Sequence, residues 1–190
     1  MNRNSGKVPT AIQRMIPIQK DRKIFICSVG LALLLALCGL AALRFSGWYA
    51  SMADGKPYQD FVKQIGSVAR IIYFAVLAIS PIFLLLKWKW ARTLKIRQWE
   101  VKKWLQWTGK AARLWHVPLA WFGIVLILFH GGLALRNGFK WDFPYATGML
   151  ALLPLPVLVY SGLKRYRRRD KKFHLLLAAV FLTLFMIHAA

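Results

Sequence analysis

Five apolar runs, separated by charged or turn-forming segments, set the pattern of this chain. Residues 24–43 carry no charge, and residues 67–86 are interrupted only by Arg70 near their start. Three more runs follow at residues 115–135, 145–163 and 173–189. Each is close to the roughly 20 residues that an α-helix needs to cross a hydrocarbon core. The pattern predicts an all-α fold, an integral membrane bundle of five transmembrane helices over 24–190, behind a polar and basic amino-terminal segment at 1–23. Residues 45–66, with Gly47, Asp54, Gly55, Pro57 and Asp60, read as a loop holding a short surface helix, and Arg136 to Pro144 as a short turn. Pro81 is expected to kink the second span, and Pro154 and Pro156 to distort the fourth.

Composition agrees with that reading. The 190 residues are 58% hydrophobic with a mean hydropathy of +0.44, above the roughly 45–50% apolar share of soluble domains. A cleaved signal peptide competes for the first run, but signal cores are shorter, about 7–15 residues, so a retained helix is expected. Cys27 and Cys38 share that run. Eleven residues of helix separate them by about 16 Å, too far to bridge, so both read as small apolar residues.

Charge adds orientation. There are 28 Lys and Arg against 6 Asp and Glu. Between Lys87 and Arg113 the basic residues alternate with Trp88, Trp90, Trp99, Trp104 and Trp107, a pattern that also suits nucleic acid. Flanked by two spans, it reads instead as an amphipathic helix at the lipid headgroups, and no nucleic-acid partner is expected. With the amino terminus in the cytoplasm, 22 of the 28 basic residues fall inside, in 1–23, 87–113 and 164–172. The outer segments, 44–70 and 136–142, hold the other six. The positive-inside rule therefore predicts a cytoplasmic amino terminus and a carboxyl terminus at the outer, periplasmic face of a bacterial inner membrane. Anionic membrane lipid is the corresponding partner.

The candidate chemistry lies in the four histidines. His116 and His130 sit 14 residues apart on the third span, and His174 and His188 sit 14 apart on the fifth. Fourteen residues of helix rise about 21 Å and fall about 40° short of four whole turns, so each pair keeps nearly one face. Spans three and five run in the same direction. His116 and His174 then share the cytoplasmic level, and His130 and His188 the outer one. Two imidazoles at a level suit the two axial positions of a porphyrin iron, with no open site for oxygen or substrate. The expected cofactors are two b-type haems, the inner iron on His116 and His174 and the outer on His130 and His188. A bare zinc site is a poorer fit, because neither level offers an acidic or thiolate ligand to complete a tetrahedron. Gly148 and Gly162 on the fourth span repeat the 14-residue interval, and a flat macrocycle could lie against backbone there. Arg113 and Lys172 on the inner side, and Arg136 on the outer, are candidates for the haem propionates.

The four histidines resemble those of the ferric reductase and NADPH oxidase-like transmembrane superfamily, in which the third and fifth spans hold two stacked haems. The likeness to the quinol-oxidising cytochrome b family, with its paired glycines, is less close. The resemblance covers residues 67–190 and implies transmembrane electron transfer. Members of the first group commonly have a sixth span, and many carry flavin and nicotinamide domains. No Gly-x-Gly-x-x-Gly loop occurs among these 190 residues. The expectation is therefore an electron-transfer subunit of a larger complex rather than a complete enzyme, served by donor and acceptor proteins or by a quinone. The alternative is a haem-free membrane scaffold or assembly subunit whose basic loops dock a partner.

Overall fold

A computed structural model describes residues 10–45, 55–88, 95–96, 99–136, 139, 141–167 and 171–189. Along them run α1 (Ala11–Met15), α2 (Gln19–Phe45), α3 (Lys56–Leu77), α4 (Ile79–Lys87), β1 (Lys95–Ile96), β2 (Trp99–Glu100), α5 (Val101–Arg136), α6 (Phe143–Leu152), α7 (Pro154–Arg165) and α8 (Lys171–Ala189). Among the described residues, five helical stretches are long and apolar enough to cross a membrane: Gln19–Ala41, Lys56–Lys87, Val101–Arg136, Phe143–Arg165 and Lys172–Ala189. The chain is thus an all-α membrane protein with five spans. Leu31, Leu37, Ile71, Leu84, Leu128 and Leu176 all turn outward, as side chains meeting lipid do.

Two spans begin earlier than the hydropathy runs. The second starts at Lys56 rather than Ser67, so residues 56–66 are helix and not loop. Gly55, extended at φ −107° and ψ 171°, precedes the helix, and Pro57 occupies its first turn, where the missing N–H costs nothing. The third starts at Val101 rather than 115, and Pro118 lies within it without ending it. The separate interfacial helix expected between residues 87 and 113 is absent among the described residues. Its place is taken by the β1–β2 ladder, pairing Lys95 with Glu100 and Ile96 with Trp99, and by the first turns of α5. At about 1.5 Å per residue, the 36 residues of α5 reach about 54 Å, well beyond a hydrocarbon core of about 30 Å. Trp104 and Trp107 on that extension are exposed.

Gaps in the helices fall beside Pro81 and Pro154, while Pro156 lies inside α7 without a gap of its own. The second span breaks at Ala78, three residues before Pro81, which has no N–H to return to the carbonyl of Leu77. The fourth breaks at Leu153, next to Pro154, which opens α7. The basic turn expected at 164–172 is described up to residue 167 and from 171, and Arg3, Lys7 and residues 168–170 lie outside the described residues.

The chain divides into two compact units, Cys27–Phe139 and Met1–Ile26 with Lys140–Ala190. In the first, α3 lies antiparallel against α5. Tyr58, Val62, Ala69, Tyr73 and Val76 form a buried stripe at helical spacing. Lipid is as apolar as such a stripe, so the pairing rests on close packing and interhelical hydrogen bonds. Gly123 of α5 supplies the closest approach, since a Cβ there would stand 2.8 Å from the Tyr73 ring. The buried Tyr58 hydroxyl donates to the Leu133 carbonyl at 2.8 Å. Leu133 lies in the last turn of α5, where carbonyls have no helical donor of their own.

In the second unit, α8 packs antiparallel against α6 and α7. Phe181 and Phe185, one turn apart on α8, are buried and stacked with centroids 5.9 Å apart. At one end, Thr10 and Gln13 form a reciprocal capping box on α1, and the Arg167 guanidinium donates to the Arg14 carbonyl.

Candidate functional site

All four histidines are half-buried, and each has its Nδ1 held by the helix packed against it. In the Cys27–Phe139 unit, His130 Nδ1 lies 2.9 Å from the Val62 carbonyl and His116 Nδ1 lies 3.2 Å from the Val76 carbonyl. In the other unit, His188 Nδ1 lies 3.0 Å from the Pro144 carbonyl and His174 Nδ1 lies 2.9 Å from the Ser161 hydroxyl.

These partners decide the tautomers. A carbonyl only accepts, so His116, His130 and His188 carry their ring hydrogen on Nδ1 and their lone pair on Nε2. Ser161 reaches the same result by another route. Its one hydroxyl hydrogen is directed at the Leu158 carbonyl at 2.8 Å, which leaves the oxygen to accept from His174 Nδ1. Thr147 likewise donates to the Phe143 carbonyl at 2.7 Å and faces His188 Nδ1 at 3.3 Å as a second acceptor. A neutral imidazole whose Nδ1–H is bonded to the protein is the form that binds a metal through Nε2, with its ring plane and basicity set by that bond.

Local structure explains how the rings reach their partners. An exposed helix carbonyl at position i is overhung by the side chain at i+4, and here that residue is small. Gly66 follows Val62 by four, and a Cβ on it would lie 2.9 Å from His130 Cε1. Gly148 follows Pro144 by four, and its Cβ would lie 3.0 Å from His188 Cε1. Gly162 follows Leu158 by four and faces His174 Cε1 at 3.4 Å. Ser80 is the corresponding residue after Val76 in the sequence. Val76 also sits in the last turn before the break at Ala78, where carbonyls lose helical donors. Gly148 therefore leaves room for the His188 ring, and Gly162 faces the His174 ring at ordinary contact distance.

Of the propionate candidates, Lys172 and Arg136 occupy helix ends, whereas Arg113 lies within α5. Arg113 is exposed and one turn before His116, on the same face. Lys172 is exposed, two residues before His174, and Arg136 is the exposed last residue of α5, six beyond His130.

Sequence reasoning found the four histidines and two of the glycines but missed the acceptors. The missed residues are Val62, Val76, Gly66, Pro144, Thr147 and Ser161. Their signal was present as the same interval: Val62 and Val76, Gly66 and Ser80, and Thr147 and Ser161 are each 14 residues apart. Among the described residues, no three His, Cys, Asp or Glu gather to hold a bare metal ion. A porphyrin iron asks less of the protein, since the macrocycle supplies four nitrogens and leaves two axial positions. Each Nδ1-tethered imidazole is in the neutral form that an iron takes as an axial ligand.

The chain matches no family model, no curated protein and no solved structure with which it was compared.

Proposed function

We propose that this protein is a di-haem b-type cytochrome subunit that relays single electrons across a membrane. The observation that carries the reading is the common state of the four histidines, each giving Nδ1–H to an acceptor on the neighbouring helix and so placing its lone pair on Nε2. On the topology that the charge pattern implies, His116 and His174 would hold an inner haem, and His130 and His188 an outer one. Bound haem would supply one-electron redox chemistry. The chain's own residues orient the imidazoles through Val62, Val76, Pro144 and Ser161, and make room for two of the rings at Gly66 and Gly148. Arg113, Lys172 and Arg136 meet propionates at the water boundary. The excess of Lys and Arg in the amino-terminal segment and alternate loops supports a cytoplasmic amino terminus in a bacterial inner membrane, with the donor a cytoplasmic protein or a quinol and the acceptor at the outer face.

The test is a reduced-minus-oxidised spectrum of the purified chain together with its haem content. A b-type spectrum at two haems per chain is expected. His130→Ala and His188→Ala should each remove the same haem, and His116→Ala and His174→Ala the other. Absence of haem after haem-replete expression would sink the proposal, and loss of different haems within a pair would sink the ligand assignment.

A further inference from the structure

The seats of His188 and His174 are built from the same three positions, 14 residues apart, and differ in one respect. Pro144, Thr147 and Gly148 serve His188, while Leu158, Ser161 and Gly162 serve His174. His188 reaches the Pro144 carbonyl directly at 3.0 Å, with the Thr147 hydroxyl beside it at 3.3 Å. At His174, the Ser161 hydroxyl bonds the Leu158 carbonyl on one side and the ring on the other. The spacing agrees: a Cβ on Gly148 would meet His188 Nδ1 at 3.2 Å, whereas a Cβ on Gly162 would meet His174 Nδ1 at 3.8 Å. Ser161 is 1% exposed, so water does not compete for the hydroxyl.

We infer that Ser161 is a positioning residue that sets the orientation and donor strength of His174, so that the iron His174 serves is tuned through a hydroxyl rather than a backbone carbonyl. The inference rests on the haem reading for its consequence but not for its geometry. A hydrogen bond from Nδ1–H makes Nε2 a stronger donor to a metal, and a stronger donor favours the oxidised iron. A hydroxyl is a weaker acceptor than a peptide carbonyl. It is also the one partner of the four that side-chain substitution can remove, because the others are backbone oxygens.

The experiment uses the full chain in detergent. In redox titrations of the haem-loaded protein, Ser161→Ala should raise the midpoint potential of one haem, the one also lost in His174→Ala, and leave the other in place. Affinity for that haem should fall about 10- to 100-fold, the usual effect of losing such a partner. Ser161→Thr restores the hydroxyl and should return both values. Thr147→Val is the control, since His188 keeps the Pro144 carbonyl, and its haem should move less. An unchanged or lowered potential in Ser161→Ala, or an equal shift of both haems, overturns the inference while leaving the haem reading intact. If the wild-type chain holds no haem, the haem reading fails, and ring nitrogen-15 shifts of His174 then decide the assignment. The Nδ1–H tautomer in wild type, lost in Ser161→Ala and regained in Ser161→Thr, supports it; a tautomer indifferent to Ser161 refutes it.

Discussion

Adding one methyl group at Gly66 tests whether the glycines exist to seat histidine rings. A Cβ there would stand 2.9 Å from His130 Cε1 and 3.0 Å from Nδ1, closer than real side chains approach one another. The ring must retreat by several tenths of an ångström, against a 2.9 Å bond to Val62. Overpacking of this kind costs about 1–3 kcal/mol, and the weakened hydrogen bond adds about 1 kcal/mol. Alanine returns about 0.8–1 kcal/mol as the better helix former, so Gly66→Ala should lose about 1–3 kcal/mol overall. Gly30 supplies the control, being helical with nothing within 4 Å of its notional Cβ. There the same substitution should gain about 1 kcal/mol. Gly148→Ala, with contacts at 3.0 and 3.2 Å, should resemble Gly66→Ala, and Gly162→Ala, at the ordinary contact distances of 3.4 and 3.8 Å, should approach the gain at Gly30. Reversible unfolding in detergent micelles measures the series. If Gly66→Ala proves as stabilising as Gly30→Ala, the glycine is not a ring seat and the reasoning fails.

Two further perturbations probe other contacts. Tyr58→Phe strips the Leu133 carbonyl of its buried donor and should cost about 1–3 kcal/mol, with faster amide exchange at the end of α5; unchanged stability and exchange would show the bond to be dispensable. Tyr166 lies just past α7, and burial first, then the Asp21 carboxylate, push its phenol above the ordinary value of 10.0. A raised folded value means that the fold favours the neutral phenol. Its contribution is fully present below pH 10.0 and is lost as pH rises through the folded value. Asp21→Asn should therefore bring the phenolate absorbance of this residue in at lower pH, and an identical titration in the variant would remove Asp21 as a cause.

The spans were legible because an uncharged apolar run of membrane length has few other solutions. Their starts were less so. Lys56 to Gly66 mixes Asp60 and Lys63 with Tyr58 and Val62, and hydropathy averages them into a loop; only their helical phase shows that the apolar members continue the α3 stripe. The same averaging hid the first turns of α5 behind Lys102, Lys103 and Lys110. Both helix breaks were readable from Pro81 and Pro154, since a missing N–H is a local property. The acceptors of the histidine rings were not, because three of them are backbone carbonyls. No side-chain identity announces a carbonyl, and Gly66 gains meaning only once Val62 is known to lie beneath His130.

The two breaks in the helices fall differently with respect to the ring seats. Val62 and Val76 both precede Ala78, so the acceptors for His130 and His116 ride on one uninterrupted rod. Pro144 and Ser161 stand on opposite sides of Leu153, where Pro154 interrupts the hydrogen-bond ladder while the backbone stays helical at φ −60° and ψ −47°. One hairpin therefore works as a fixed gauge, in which displacing one seat carries the other along. The other has a gap between its two seats, so the registers of Pro144 and Ser161 are not joined by an unbroken run of helical hydrogen bonds.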